Sequence, residues 1–360
     1  MFQKSFIYAP LPGRVAFGAG SLEQLSREFA ELQVGRALVV CTPEQSDLAE
    51  KVRATLGSQC AGVFPKAAMH VPIEIAREAR AYASQIGADG IVAIGGGSTI
   101  GLGKAIALES SIPILAVPTT YAGSEMTPIY GLTESGEKKT GRSLNVLPRT
   151  VIYDPLLTLT LPVAMSATSG INAIAHCVEA LYAENANPIT TMMAEEGVRA
   201  LARGLLIVSD NPESVDARSQ CLYGAWLAGS VLAATSVALH HKLCHTLGGM
   251  LNLPHAQTHT VVLPHAVAYN APAAPQAMAR LAKALTAEDA AQGLFDLAVR
   301  LDAPTSLKAL GMRESDLDRV TDAALAAPYP NPRPLHRDGI RVLLEAAYHG
   351  SRPHAMTTPI

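Results

Sequence analysis

Short apolar runs alternate with amphipathic stretches through the first 155 residues. ALVVCTP (37–43), AGVFPKA (61–67), DGIVAIGGGST (89–99), IPILAVPTT (112–120) and TVIYDP (150–155) are β-rich and read as strands. Between them, SDLAEKVRATLG (46–57), PIEIAREARAYASQIG (72–87) and GLGKAIALES (101–110) read as helices. This alternation predicts βαβ units: a Rossmann-like, mostly parallel sheet with helices on both faces. From residue 160 to 350 the pattern is helical, with short Gly, Pro or Asn breaks and no convincing strand. We therefore expect an α/β domain over 1–158 followed by an all-α domain over 159–360. PYPNPRP (328–334) reads as a loop before the last helix, and the C-terminal HAMTTPI as a loose tail.

One helical stretch raises a different possibility. Cys221 to Leu239 is nineteen residues without a charge, long enough to span a bilayer. Gly, Ala, Ser and Thr dilute its hydrophobicity, which favours a core helix at the centre of the helical domain. Composition agrees with a packed protein that has no membrane role: of 360 residues 49% are apolar and 16% charged. The net charge of −3, with no basic cluster, excludes a nucleic-acid surface and leaves a small molecule as partner. Five cysteines without CxxC spacing suit a reducing compartment. The N-terminal MFQKSFIYAPLPGRV lacks a signal-peptide pattern, so a cytoplasmic location is expected. The apolar composition also suggests a homodimer.

In IVAIGGGSTIGLGKA an apolar strand ends in Gly95, Gly96, Gly97 and Ser98 before a helix carrying Lys104. Such a turn lets backbone N–H groups approach a pyrophosphate at a helix N-terminus, although an ordinary tight βα turn looks the same. The next strand ends at Thr119 and Thr120, where α/β sheets bind ligands. Two polar turns at neighbouring strand ends favour a nucleotide, making 1–158 a dinucleotide-binding domain. Where an acidic residue would bind a ribose 2′-OH stands Thr42, with no charge to repel a 2′-phosphate. Both NADH and NADPH are thus expected to serve.

Histidines concentrate in HHKLCHTLGG (240–249). His241 and His245 are four apart, as are Asn172 and His176 in the helix SATSGINAIAHCVEALYA (166–183), so each pair shares a helix face. His255 follows in the break NLPHAQ. Two helix pairs plus a loop histidine frame a divalent metal with an open position. His259 and His265 are weaker candidates.

The GGGS turn, the PTT turn, NxxxH, HxxxH and the later PH, in this order, resemble the iron-containing alcohol dehydrogenase superfamily. The resemblance spans nearly the whole chain, including the FGAG turn near the N-terminus. It implies an active site in the cleft between the α/β and helical domains. It also implies a metal held by an aspartate and three histidines, which fall on Asn172, His176, His241 and His255, with His245 close to the nicotinamide. Two positions depart from the family pattern: Asn172 replaces the aspartate, and glycine replaces Asp in GGSxxDxAK, giving GGGSTIGLGK. With PTTYAGSEMTPIYGLTE, KKTGR, LPRTVIYDP and HHKLCH, these are similar to the maleylacetate reductase branch. That branch reduces the carbon–carbon double bond of maleylacetate to 3-oxoadipate with NADH or NADPH in aromatic catabolism, and is regarded as needing no metal.

An asparagine contributes only a neutral dipole toward a +2 ion. The expectation is therefore that no metal is required, and that His176, His241 and His255 hold substrate instead. With Lys242, and Lys104, Arg142 or Arg149, they would form a cationic pocket for a small dicarboxylate. Hydride addition to an enone spreads charge into an enolate that hydrogen-bond donors can stabilise. His245 or His241 would give the proton; spacing does not say which. The alternative is a metal-dependent alcohol dehydrogenase or aldehyde reductase of the same fold. A dehydroquinate-synthase-like lyase and a non-enzymatic binding protein are the remaining readings.

Overall fold

The computed structural model describes residues 6, 8–11, 13–134 and 137–354, and most of the C-terminal HAMTTPI and the start of the N-terminal stretch lie outside them. The chain divides into two compact units, one of them Pro10–Leu161 and the other running from Pro162 onward.

The first unit is an α/β unit. Its strands are β1 (Arg14–Phe17), β2 (Ala37–Val40), β3 (Cys60–Phe64), β4 (Gly90–Gly95), β5 (Ile114–Pro118), β6 (Ile129–Glu134), β7 (Glu137–Arg142) and β8 (Thr150–Tyr153). Its helices are α1 (Leu25–Ala30), α2 (Ser46–Leu56), α3 (Ile73–Gln85) and α4 (Gly97–Ser110). Six strands form a parallel sheet in the order β1-β8-β5-β4-β2-β3. The inner strands β2, β4, β5 and β8 are buried along their whole length, which is why they read as continuous apolar runs. Phe29, Val39, Val92, Leu115 and Ile152 share one core against this sheet.

The order of connections creates a crevice. From β2 the chain passes through α2 to β3 on one side; from β4 it passes through α4 to β5 on the other. The C-terminal ends of β2 and β4 therefore flank the switch point at which open α/β sheets bind ligands.

Three details differ from the expected elements. The sheet gains an edge strand, β1, paired with β8. A separate antiparallel hairpin, β6–β7, stands apart from the parallel sheet. Helix α4 begins at Gly97, inside the glycine run, and β3 stops at Phe64.

The second unit, over its described residues, is helical: α5 (Val163–Tyr182), α6 (Pro188–Asp210), α7 (Val215–Ala234), α8 (Leu239–Leu251), α9 (His255–Asn270), α10 (Pro275–Leu285), α11 (Ala290–Arg300), α12 (Leu317–Leu325) and α13 (Arg337–His349). Helix α5 is buried nearly throughout and packs on α6, α7 and α9. Small residues allow close approach: a Cβ on Gly224 of α7 would lie 3.0 Å from the Gly197 carbonyl oxygen of α6. The uncharged stretch 221–239 is not one helix. Helix α7 ends at Ala234, and α8 leaves at 95° after a short break. No single helix among the described residues is long and apolar enough to cross a membrane, although this bent pair passes together by length and composition.

Candidate active site

In the α/β unit, the expected cofactor residues gather at the switch-point crevice. Gly95 ends β4 with φ +149, Gly96 caps α4, and Gly97 and Ser98 open its first turn. A Cβ on Gly95 would lie 2.5 Å from Thr99 Oγ1 and would also overlap Gln45 Oε1, so no larger residue fits. The first N–H groups of a helix have no intrahelical acceptor; α4 has no acid in its first turn and no side-chain cap. That is an anion-receptive end. Thr99 Oγ1 is buried there without a hydrogen-bond partner. The end of β5 is tied to it: Thr119 N–H donates to the Gly95 carbonyl at 3.1 Å, and Gln45 Nε2 donates to Thr119 Oγ1 at 2.9 Å. Thr120 follows, half-buried, its side chain facing Gly96.

Thr42 lies just past the end of β2, as expected, but the site there is not free of charge. The Glu44 carboxylate is held below its usual range by its own backbone N–H and by the Thr42 hydroxyl. A carboxylate therefore lies two residues beyond Thr42.

Lys104 does not belong to a cationic pocket. It is 1% exposed, and Nζ donates to the carbonyls of Ser124 (2.6 Å), Thr127 (2.8 Å) and Ile129 (2.8 Å) and to Thr127 Oγ1 (2.9 Å). Burial lowers its pKa to about 7, opposed by Glu125. It pins the segment leading into β6. Arg142 and Arg149 lie exposed, one ending β7 and the other just before β8.

In the helical unit, Asn172, His176 and Glu179 follow one another at helical spacing along α5. Glu179 organises the start of α8: Oε2 accepts from Ala238 N–H (2.7 Å) and His241 Nδ1 (2.7 Å), and Oε1 accepts from His240 N–H (2.8 Å). With Nδ1–H directed at the carboxylate, His241 turns an Nε2 lone pair away from it. That Nε2 lies 2.8 Å from His176 Nδ1, and the two rings stack at 5.0 Å. His255 is not in a loop; it is the first residue of α9, its ring 4.4 Å from that of His259, which is 5.1 Å from His241. His245 is exposed one turn beyond His241, ring centroids 6.1 Å apart. Lys242 is half-buried with Nζ 5.8 Å from the centre of the Tyr329 ring. Asn172 is buried, and its Oδ1 has no hydrogen-bond partner.

His240, His259 and His265 are interior residues. His240 Nε2 lies 2.9 Å from His259 Nδ1, and burial lowers the pKa of both well below the histidine range. His265 falls to about 4 for the same reason. Glu179 was missed by sequence reasoning. Its signal was available: a lone carboxylate in the otherwise uncharged INAIAHCVEALYA, one turn from His176.

Comparison with known proteins adds three findings. The profile of the iron-containing alcohol dehydrogenases matches residues 12–155, and that of the C-terminal domain of the Fe-containing alcohol dehydrogenase family matches 166–348. A maleylacetate reductase of Burkholderia cepacia is 61% identical over 349 residues, 97% of this chain and 99% of that protein. Among solved structures, a putative alcohol dehydrogenase from Ralstonia eutropha JMP134 has a TM-score of 0.96 at 61% identity, covering 98% of this chain and 100% of that one. Maleylacetate reductase from Agrobacterium tumefaciens has 0.95 at 52%, with the same coverage.

These matches correct one expectation. Fold and family point to a divalent metal, iron, so the reading that no metal is required does not stand. The donor set fits such an ion. Asn172 Oδ1 is a buried oxygen with nothing else to bond, and His176 and His241 place ring nitrogens together. Glu179, hydrogen-bonded to His241, brings the negative charge that Asn172 lacks. The expectation failed because the charge was sought only among direct ligands.

Proposed function

The chain belongs to the iron-containing alcohol dehydrogenase family, and from that premise we propose that it reduces the carbon–carbon double bond of maleylacetate to give 3-oxoadipate, at the expense of a nicotinamide nucleotide. The observation that carries this reading is the 61% identity, over nearly the full length of both chains, to a protein named maleylacetate reductase.

The residues divide the work as follows. The Gly95–Ser98 turn and the α4 N-terminus receive the pyrophosphate of NADH or NADPH, with Thr119, Thr120 and Thr42 at the adjoining strand ends. Asn172, His176, His241 and His255 would hold the divalent metal, which supplies Lewis acidity to the substrate oxygen. Glu179 keeps His241 in the tautomer that presents Nε2. Hydride adds to the carbon beta to the ketone, and the electron pair of the double bond moves into an enolate. His245, exposed one turn from His241, donates the proton to the alpha carbon and regains one from water. Lys242 balances a substrate carboxylate.

We place the reaction in the catabolism of aromatic compounds, in the cytoplasm, in a homodimeric enzyme; the five free cysteines are consistent with that compartment. The test is the initial rate of NADH absorbance loss with maleylacetate, using the iron-loaded chain. Rapid loss with formation of 3-oxoadipate is expected. Inertness toward maleylacetate, with NAD-linked oxidation of small alcohols instead, would assign the chain to the alcohol dehydrogenase reading.

A further inference from the structure

A second set of donors lies beside the array and has no part in the chemistry above. His240 and Cys244 are one turn apart on α8, and His259 faces them from α9. All three are buried, and their ligand atoms lie within 4.8 Å of one another. His240 Nε2 is 2.9 Å from His259 Nδ1 and 3.8 Å from Cys244 Sγ. We propose that His240, Cys244 and His259 form a second cation site, for a thiophilic divalent metal such as zinc or cobalt.

Geometry favours this. Around a tetrahedral zinc, with bonds of ~2.0–2.1 Å to nitrogen and ~2.3 Å to sulfur, donor atoms lie roughly 3.4–3.6 Å apart. The His240–His259 pair is about half an ångström closer than this and the His240–Cys244 pair a few tenths wider, differences that side-chain torsions absorb. The donors are also preorganised: two are fixed by one helix, and the third sits on a helix packed against it.

Chemistry sets the selectivity. A thiolate with two imidazoles prefers zinc or cobalt to magnesium, calcium or manganese, whereas the neighbouring set offers only nitrogen and oxygen. Binding displaces the Cys244 proton, so the cation and thiolate together carry one net positive charge. Burial otherwise holds the thiol well above its ordinary pKa, and a bound cation reverses that preference. His259 Nε2 hydrogen-bonds nothing in the surrounding protein, and Nδ1, which faces His240 Nε2 at 2.9 Å, would exchange that contact for the cation.

The two sites share no ligand but are adjacent. His240 and His241 rings are 5.2 Å apart, and His255 and His259 rings 4.4 Å. Their occupation is separable by spectroscopy, because only the second contains sulfur.

The experiment is a titration of the full-length, metal-stripped chain with cobalt(II), followed by near-ultraviolet absorbance and metal content. The expected result is two equivalents bound, with a thiolate-to-cobalt charge-transfer band accompanying one of them. Cys244→Ser should bind one equivalent and show no band. His259→Gln should lose the band too, which decides the matter if the serine variant does not fold by circular dichroism. Saturation of the wild type without a charge-transfer band overturns the proposal, as does a band that persists in Cys244→Ser. Neither result depends on whether maleylacetate is turned over.

Discussion

Replacing Glu179 with Gln changes one buried oxygen to an amide nitrogen and tests the logic of the site. The carboxylate accepts from three donors, the N–H groups of Ala238 and His240 and Nδ1 of His241. An amide has one oxygen. With that oxygen in the Oε2 position, the NH2 group meets the His240 N–H. Turned over, it meets the Ala238 N–H and forces His241 into the other tautomer. Either way one buried N–H is left unpaired, at roughly 1–3 kcal/mol. Loss of the negative charge at the start of α8 adds about 0.3–2 kcal/mol. We expect ~2–4 kcal/mol of destabilisation, read as a lower urea midpoint at constant m-value. Metal affinity should fall ~10–100-fold, because the carboxylate that orients the His241 ring is lost. Isothermal titration with iron(II) or zinc(II) measures that term separately. A Gln variant with wild-type affinity and midpoint would refute the assignment of Glu179 as the organiser of the histidines.

Other variants address other parts. Asn172→Asp restores a charged oxygen beside His176 and should raise metal affinity by at least ~10-fold, checked by competition with a chelator; unchanged affinity would remove Asn172 from the ligand set. Gly95→Ala places a methyl group against Thr99 and Gln45 at φ +149, and should cost ~1–3 kcal/mol and raise the KM for the nucleotide more than that for maleylacetate. The Lys104 pKa of about 7 lies below the 10.5 of the unfolded chain, so the unfolded state binds more protons between these values. The stability contributed by this group therefore rises with pH from 7 to 10.5, and Lys104→Met should flatten that rise in urea midpoints measured across the range. The Glu44 carboxylate beside Thr42 should favour NADH over NADPH. Glu44→Gln should raise relative kcat/KM for NADPH several-fold; an unaltered ratio would place the selectivity elsewhere.

What was legible in the sequence follows from what local patterns encode. The central strands were readable because burial on both faces makes them continuously apolar. Edge strand β1 is half-exposed and four residues long, and the hairpin β6–β7 is largely polar, so neither rises above a loop in pattern alone. The start of α4 was displaced because glycine is a poor helix former in isolation; here tertiary packing decides, Gly103 lying where a Cβ would sit 3.2 Å from Ala93. Helical spacing revealed Asn172–His176 and His241–His245. It could not reveal Lys104, whose partners come from turns twenty or more residues later, nor the pairing of Glu179 with a backbone about sixty residues away.

The uncharged run 221–239 also carries a consequence for synthesis. By length alone it resembles a stretch that insertion machinery would accept, yet the helices that cover α7 are α5 and α6, which precede it in the chain. When α7 emerges from the ribosome, its packing partners have already been made. The glycines that let α6 and α7 approach also keep the segment less oily than a true span. A sequence with the covering helices placed after this run would leave it bare for as long as their translation took.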